Sequence, residues 1–326
     1  VWCEGLRARQ VMPTGHANFR LGLPFDAAAI RGALEGADVV LLVGGPFFEE
    51  VWYAPGSPLP SGAVAIQVES APERLAYNLP VQVGLVSPPR PALAALRAAL
   101  ERDADPAFRE AAARRNDALR ALKAQDAQAQ RARAAKRWDH APISVPRLMA
   151  EIEAALPPDA IVVDEAITAS LELARTVQFE RTGDYVGARG GGIGQALPGA
   201  LGVKLAHPDR PVVALSGDGS AMYSIQALWT AAHHDLAVVF VILNNREYRI
   251  LKHNMDTYRQ RFGAKPDRAY PNMDLVAPDL GYVDLARGMG VEAMRVSTPG
   301  EVRPALQKAL SAGRPFLLDV AIEGKS

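Results

Sequence analysis

Two uninterrupted apolar runs most constrain the fold of this chain. They are PVVALS at residues 211–216 and AVVFVILNN at residues 237–245, with a helical pattern at Ala221–His233 between them. A run of strand length without alternation is typical of a strand that is buried on both faces of a parallel sheet. A strand, a helix and a second parallel strand take about 30 residues. The spacing therefore predicts neighbouring parallel strands joined by a helix.

The rest of the chain repeats this alternation of strand-like and helical patterns. Strand-like runs stand at Asp38–Gly45 and Gly62–Ser70, for example, and helical spacing is found at Pro91–Arg102. This order predicts an α/β fold class with two doubly wound parallel-sheet domains. We place the domains and the helix between them at residues 1–103 (first α/β domain), 104–141 (helical linker) and 142–326 (second α/β domain).

The predicted linker is rich in Ala, Arg, Gln and Asp and contains no glycine. Its composition is typical of a charged surface helix. A nucleic-acid-binding arm is the alternative interpretation. Acidic residues such as Glu110, Asp117 and Asp126 interrupt the basic ones, which favours the surface helix.

Composition limits the classes of partner. Lys plus Arg and Asp plus Glu number 36 each, so a net charge of zero provides no general attraction to nucleic acid or to a membrane surface. The single cysteine, Cys3, excludes an internal disulfide and is typical of a reducing compartment, so we predict a cytoplasmic location. No apolar run approaches the roughly 18 residues of a membrane span. The chain begins with Val1 in what reads as the middle of a domain, and we expect further sequence upstream.

A turn with one carboxylate follows the first apolar run. Gly217-Asp218-Gly219 stands where the strand ends, and Ser220 is predicted to cap the next helix. Helix N-termini at the carboxyl edge of a parallel sheet bind anions such as a diphosphate. Because a bare carboxylate would repel a diphosphate, the pattern indicates a divalent cation between them, and oxygen ligands favour Mg²⁺.

The second apolar run ends in Asn244-Asn245, at the same edge of the predicted sheet. The Asn245 amide oxygen is a second hard ligand, and a main-chain carbonyl just after it is a third. Alone, either motif is an ordinary turn or strand exit, but their register on neighbouring strands favours a site. A dinucleotide fingerprint is a weak rival because, counted from Gly190 and Gly192, the third glycine position is Gln195.

These motifs resemble those of the thiamine-diphosphate-dependent decarboxylase family. The match includes GDGS at 217–220 and NN at 244–245 with that family's spacing, and it extends over residues 188–248. Within the family, the chain most resembles the benzoylformate decarboxylase group, through SAMYSIQALWTAA, VMPTGHANFRLGLP and LEGADVVLLVGGPFFEEVWYAPGSPLP. The resemblance implies middle and diphosphate-binding domains, with a pyrimidine-binding domain and its activating glutamate encoded upstream.

The resemblance also implies the roles of individual residues. Mg²⁺ would be bound by Asp218, the Asn245 side chain and the Glu247 carbonyl, and His16 would handle protons during catalysis. The bulky Ile193 would support the thiazolium ring of thiamine diphosphate. The other implied cofactor-binding residues are Thr168, Gly191, Gly192, Gly217, Gly219, Ser220, Tyr223 and Tyr248. The implied assembly is a homodimer or homotetramer in which another subunit's pyrimidine-binding domain completes the cofactor site.

The resemblance implies decarboxylation of a 2-keto acid, and the segment after Tyr248 leaves the substrate open. Ile250, Leu251 and Asn254 would line the pocket, and Asn254 replaces an apolar residue of the benzoylformate decarboxylase group. A carboligase of the acetolactate synthase or 2-hydroxyacyl-CoA lyase type is the first alternative. An inactive cofactor-binding module without the activating domain is the second. Arg189 would meet either a ligand's carboxylate or phosphate or a structural ion-pair partner.

Overall fold

A computed structural model describes residues 1–4, 8–45, 47–48, 55–187, 191–265 and 269–324. The chain divides into two compact units, Val1–Arg7 with Ala17–Lys123 and Ala8–His16 with Ala124–Ser326. The boundary falls inside a 30-residue helix, α3 (Pro106–Ala135). This helix covers most of the predicted linker, and the predicted division into two domains and a linker stays a prediction.

The first unit is built on a three-stranded parallel sheet in the order β1-β2-β3. Its elements up to the boundary helix are α1 (Ala27–Ala33), β1 (Val39–Val43), β2 (Val64–Glu69), β3 (Val83–Val86) and α2 (Pro89–Asp103). Ile30 of α1 shares a hydrophobic cluster with Val40 and Leu42 of β1. The strands β1 and β2 lie where the apolar runs predict them. The strand β3 was not predicted, because VGLV is only four residues long and contains a glycine.

The second unit is built on a six-stranded sheet in which every pair is parallel. The strands run in the spatial order β5-β4-β6-β7-β9-β8. Their bounds are β4 (Ile161–Glu165), β5 (Tyr185–Gly187), β6 (Val212–Gly217), β7 (Val238–Asn244), β8 (Glu292–Val296) and β9 (Phe316–Ala321). The chain leaves β4 toward β5 and returns to the other side of β4 as β6. The edge between β4 and β6 is therefore a topological switch point, where such sheets bind ligands.

Helices cover both faces of this sheet. They are α4 (Val145–Ala155), α5 (Ser170–Thr176), α6 (Ala196–Ala206), α7 (Asp218–Ala221), α8 (Ala227–His233), α9 (Arg249–Phe262), α10 (Tyr282–Gly288) and α11 (Val302–Ser311). The helices α4, α5 and α11 contribute to one hydrophobic core and α6, α8 and α10 to the other. Within the described residues, no helix is both long and apolar enough to cross a membrane.

The two cores explain the uninterrupted apolar runs. On β6, Val213 and Leu215 belong to one core, whereas Val212 and Ala214 belong to the other. Because successive side chains of a strand point to opposite faces, a strand between two helical layers needs an apolar residue at every position. The predicted α/β class with parallel sheets is confirmed.

Two local predictions are wrong. The segment predicted as one helix at Ala221–His233 is a turn at residues 222–226 followed by α8, and α7 ends at Ala221. In this turn, Tyr223 lies against the backbone of Gly194. The predicted helix cap, Ser220, lies inside α7, whose N-cap is Gly217. The edge strand β5, which has only three residues, was not predicted.

Candidate functional site

The carboxyl end of β6 carries the predicted Gly-Asp-Gly turn. Gly217 ends the strand with extended backbone and is the N-cap of α7, so Asp218 is the first residue of that helix. Gly217 pairs in register with Leu243 of β7, and Asp218 therefore lies at the level of the Asn244-Asn245 pair. The fold thus brings the two sequence motifs together at neighbouring strand ends.

Asp218 is a buried carboxylate held by main-chain amides. Its Oδ1 accepts a hydrogen bond from Gly219 N at 2.8 Å, and its Oδ2 accepts one from Arg246 N at 2.6 Å. The side chain is only 3% exposed. Burial raises the pKa of Asp218 to about 6, and hydrogen bonds from the backbone oppose this shift. The site therefore holds a desolvated negative charge that a cation would stabilise.

The turn after β7 presents two further oxygen atoms. Asn245 Oδ1 accepts a hydrogen bond from Glu247 N at 3.0 Å, and the Glu247 carbonyl accepts one from Arg249 N at 2.9 Å. Between them, Arg246 has a φ of 61°, which a non-glycine residue adopts at a cost of about 1–3 kcal/mol. The turn is thus held in an unfavourable backbone conformation next to Asp218, as is common at functional sites.

This donor set suits Mg²⁺. It consists of one carboxylate, one amide oxygen and one main-chain carbonyl, all of which are hard oxygen ligands. No group of three or more His, Cys, Asp or Glu residues that would hold a metal was found in the described part of the chain. A magnesium site that relies on protein oxygens of mixed type, together with phosphate and water, does not need such a group.

Two tyrosines fix the backbone of the Gly-Asp-Gly turn. The Tyr248 ring lies so close to Gly219 that a Cβ there would be 2.5 Å from Cε1 of the ring. On the other side, the fully buried Tyr282 donates its hydroxyl hydrogen to the Asp218 carbonyl at 2.7 Å. Burial, followed by the charge of Asp218, raises the pKa of Tyr282, so this hydroxyl remains a donor. Tyr282 was not predicted as a site residue, because it lies 64 residues from Asp218 along the chain.

The close approach of Tyr248 makes Gly219 a sharp test of this geometry. We expect Gly219→Ala to displace the ring or the turn, to destabilise the protein by about 1–3 kcal/mol through overpacking and to weaken cofactor binding. Thermal denaturation and a thiamine diphosphate titration measure the two effects. Gly202→Ala in α6 is the matched control, because its Cβ meets nothing within 4 Å. If both variants behave alike, Tyr248 does not constrain Gly219.

A second buried carboxylate holds the glycine loop. Glu165, at the end of β4, accepts hydrogen bonds from Gly194 N and, at 2.7 Å, from Ala196 N. Gly194 has a φ of 88°, and a Cβ there would lie 2.7 Å from the Tyr223 Cβ. Glu165 was missed as a site residue, although an acidic residue that ends an apolar strand, as in AIVVDE, is a usable signal. The turn therefore needs glycine at 194 and an acceptor at 165.

The predicted cofactor residues of this loop are exposed. Gly191 and Gly192 lie at its surface, and the side chain of Ile193 is 42% exposed. Arg189 lies outside the described residues. Two further predicted contacts are exposed as well, Tyr223 at 60% and Thr168, whereas Gly219 and Ser220 are buried.

A strained residue precedes Thr168. Ile167 has a φ of 53°, which is unusual for a β-branched side chain. It lies just beyond the end of β4, two residues after Glu165. The chain thus has a residue with left-handed backbone after the end of β4 and another after the end of β7.

His16 lies on a short segment that belongs to the second compact unit. Thr14 N donates to the Phe179 carbonyl at 2.9 Å, and Phe179 N donates to Thr14 Oγ1 at 2.8 Å. Gly187 N, at the end of β5, donates to the Ala8 carbonyl at 2.9 Å. These bonds attach the segment beside β5, the strand that leads into the glycine loop.

The predicted substrate-pocket residues lie on the first turns of α9. Ile250 and Leu251 are 37% and 45% exposed, and Asn254 is half-buried. The helix begins directly after Tyr248. The candidate pocket residues therefore follow the candidate metal-binding turn, residues 245–248, without an intervening loop.

Comparison with known proteins relates this chain to thiamine pyrophosphate enzymes. Residues 168–320 match the family described as thiamine pyrophosphate enzyme, C-terminal TPP binding domain; thiamine pyrophosphate is the same compound as thiamine diphosphate. The chain is 34% identical to benzoylformate decarboxylase of Pseudomonas aeruginosa over 319 residues, which are 98% of this chain and 55% of the relative. It is 31% identical over 317 residues to the acetolactate synthase large subunit of Mycobacterium tuberculosis, covering 96% of this chain and 52% of the relative.

A solved structure agrees with these relatives. The thiamine-diphosphate-dependent 4-hydroxybenzoylformate decarboxylase of Rhodococcus jostii superposes with a TM-score of 0.76 at 31% identity. The match covers 99% of this chain and 56% of that structure. The chain thus spans a little over half the length of these proteins.

Proposed function

Because the chain belongs to the thiamine-pyrophosphate enzyme family, we propose that it takes part in the thiamine-diphosphate- and Mg²⁺-dependent, non-oxidative decarboxylation of a 2-keto acid. One observation carries most of this proposal. The buried Asp218 carboxylate at the end of β6 is hydrogen-bonded to the main chain of the turn after β7, beside Asn245 and Glu247. A carboxylate in this position is unfavourable without a cation.

In this proposal the metal is held by Asp218, Asn245 Oδ1 and the Glu247 carbonyl. The last two oxygens each accept one hydrogen bond within the chain and retain a second lone pair for the metal. The diphosphate is bound by residues at the ends of β4, β6 and β7, namely Thr168, Gly217, Gly219, Ser220, Tyr223 and Tyr248.

When bound, thiamine diphosphate supplies the electron sink that takes up the electron pair left by departing carbon dioxide. The chain's own residues position it. Ile193, on the loop that Glu165 holds, supports the thiazolium ring. His16 moves protons to and from the substrate. Ile250, Leu251 and Asn254 shape the substrate pocket.

We further propose that another subunit completes the site. The glutamate that activates the aminopyrimidine would belong to a pyrimidine-binding domain outside residues 1–326, and the assembly would be a homodimer or homotetramer. We also propose a cytoplasmic enzyme without a nucleic-acid or membrane partner.

A carboligase reaction is the second candidate. The identity with an acetolactate synthase large subunit over nearly the whole chain favours it. The half-buried Asn254 on α9 would also make the substrate pocket more polar than the aromatic side chain of a benzoylformate-like substrate requires. An inactive cofactor-binding module is the third candidate, and it depends on the absence of an activating domain from the full-length protein.

A substrate panel on the full-length protein separates the three candidates. Aromatic, aliphatic and acidic 2-keto acids are each supplied with and without an acceptor aldehyde or a second keto acid, and carbon dioxide release is measured. Release without an acceptor supports the decarboxylase. Release only with an acceptor supports the carboligase. Cofactor binding without any release rejects the decarboxylase and a carboligase of the acetolactate synthase type. It leaves the binding module and a 2-hydroxyacyl-CoA lyase, whose reaction releases no carbon dioxide.

The raised pKa of Asp218 predicts a pH dependence of metal affinity. A proton and Mg²⁺ compete for this carboxylate, whose metal-free pKa is about 6. Below that pH we expect affinity for Mg²⁺ to fall about tenfold per pH unit, and above it to be level. Calorimetric titration from pH 5 to 8 tests this, with Mg²⁺ binding to free thiamine diphosphate as the control. A level profile from about pH 5 upward would contradict the prediction.

A further inference from the structure

We propose that Lys252 is a positioning residue that fixes the metal-binding turn through the side chain of Glu247. This inference rests on the proposed function, since it concerns the Glu247 carbonyl as a metal ligand. Neither the sequence motifs nor the family resemblance assigns Lys252 a role. Its own contacts carry the argument.

Lys252 is a buried cation on the first turn of α9. The residue is 8% exposed, which is rare for lysine unless it is paired. Its Nζ contacts the Glu247 carboxylate and lies 2.6 Å from Asp274 Oδ1. One ammonium group thus joins the metal-binding turn, the helix that follows it and the segment around Asp274.

The segment around Asp274 is itself paired with the metal-binding turn. Tyr248 N donates to the Met273 carbonyl at 2.8 Å, and Leu275 N donates to the Arg246 carbonyl at 2.8 Å. Glu247 and Asp274 face each other in this short antiparallel bridge. Lys252 therefore links the side chains of the two residues whose backbones are already opposite one another.

The Glu247 carboxylate depends on this link. Its Oε1 is buried and accepts no hydrogen bond from the described residues, and the Arg249 guanidinium is 4.0 Å away. On another side, a Cβ at Gly324 would lie 2.8 Å from Oε1, so the tail after β9 closes against the carboxylate. Without Lys252, Glu247 would hold a buried charge with little compensation, which is strongly unfavourable.

If Glu247 turns to bring its unpaired carboxylate into water, its carbonyl, the proposed metal ligand, moves as well. The carboxylate and the proposed ligand carbonyl belong to the same residue, and the Glu247 amide is bonded to the Asn245 side chain, a second ligand. A rotation of Glu247 toward solvent therefore displaces both oxygens. Outer partners that hold metal ligands in place typically contribute about 10- to 100-fold in metal affinity.

The alternative is an ion pair that only stabilises the fold. Such a pair lowers the melting temperature when it is broken, but leaves the metal affinity of the folded molecules unchanged. The two roles are separated by measuring Mg²⁺ affinity and melting temperature on the same variants.

The experiment uses the full-length protein and four variants. They are Lys252→Met, the double variant Glu247→Gln with Lys252→Met, Asp274→Asn, and the control Lys308→Met, which breaks the exposed pair of Lys308 with Glu292. Mg²⁺ is titrated by calorimetry at saturating thiamine diphosphate, and the melting temperature is measured without metal.

We expect Lys252→Met to weaken Mg²⁺ binding about 10- to 100-fold. The double variant should recover most of this loss, because it removes the stranded charge together with its partner. Lys308→Met should match the wild type. An unchanged Mg²⁺ affinity in Lys252→Met, or a double variant no better than the single one, would overturn the inference.

Two further outcomes are also decisive. If Lys252→Met does not fold, Asp274→Asn is the variant that tests the inference. The side chain of Asp274 is 57% exposed, so we expect the protein to fold without its carboxylate. We expect that variant to weaken Mg²⁺ binding several-fold, and an unchanged affinity would overturn the inference. A wild-type protein that binds no Mg²⁺ with thiamine diphosphate rejects the proposed function and the inference with it, whereas normal wild-type binding with unaffected variants rejects the inference alone.

Discussion

Replacing Asp218 with alanine is expected to abolish Mg²⁺-dependent binding of thiamine diphosphate. Asp218 is the only carboxylate in the proposed ligand set, so its loss removes the whole negative charge that the protein offers the metal. Residues that merely support ligands contribute about 10- to 100-fold, and a direct ligand should exceed about 100-fold. Calorimetric titration of the cofactor with and without Mg²⁺ measures this change.

Removing this charge should not unfold the protein. A carboxyl group whose folded-state pKa is raised from 3.8 to about 6 opposes folding at any pH above both values, because burial penalises its charged form. Asp218→Asn relieves that penalty, but its NH₂ group replaces one of the two acceptors and faces the amide of Gly219 or Arg246. Because the two effects oppose each other, we expect the metal-free Asp218→Asn protein at pH 8 to melt close to the wild-type temperature.

Asp209→Ala is the matched control for Asp218→Ala. Asp209 is exposed and precedes β6 at the opposite, amino end of the strand. It should bind cofactor and metal like the wild type. Unchanged Mg²⁺-dependent affinity in Asp218→Ala would refute the proposed metal site.

Strands that are buried on both faces are among the elements that the sequence predicts well. The runs at 211–216 and 237–245 became β6 and β7 with shifts of a residue or so, because a strand between two helical layers has no polar positions. The meeting of Asp218 with Asn245 follows from the parallel pairing and from the length of one strand–helix–strand unit. Local pattern and topology are enough to predict it.

The features that were not predicted depend on contacts between residues that are far apart in the sequence. A single helix at Ala221–His233 fits the local pattern, but residues 222–226 form a turn in which Tyr223 lies against Gly194. Tyr282 meets Asp218 across 64 residues, and Lys252 meets Asp274 across 22. The identity of such partners is set by how the chain returns to the sheet edge, which local periodicity does not encode.

Glu165→Gln is expected to destabilise the second unit and to loosen the glycine loop. Both carboxylate oxygens of the buried Glu165 accept main-chain amides, from Gly194 and Ala196. Glutamine replaces one acceptor with an NH₂ donor, which leaves two donors facing each other in a buried place. The cost should be about 2–3 kcal/mol, which corresponds to a fall of about 5–10 °C in melting temperature. Thiamine diphosphate affinity should fall as well, because Ile193 lies on that loop.

Glu301→Gln is the exposed comparison for this effect. Glu301 also accepts two main-chain amides, from Ser297 at 2.9 Å and Thr298 at 3.0 Å, but both donate to the same oxygen, Oε2, and the residue is exposed at the start of α11. Water satisfies whatever the glutamine side chain cannot, so this variant should melt much closer to the wild type and bind cofactor normally. Equal losses in the two variants would mean that the capping bonds, rather than their burial beneath the loop, determine stability. A normal cofactor affinity in Glu165→Gln would separate the glycine loop from the proposed thiazolium site.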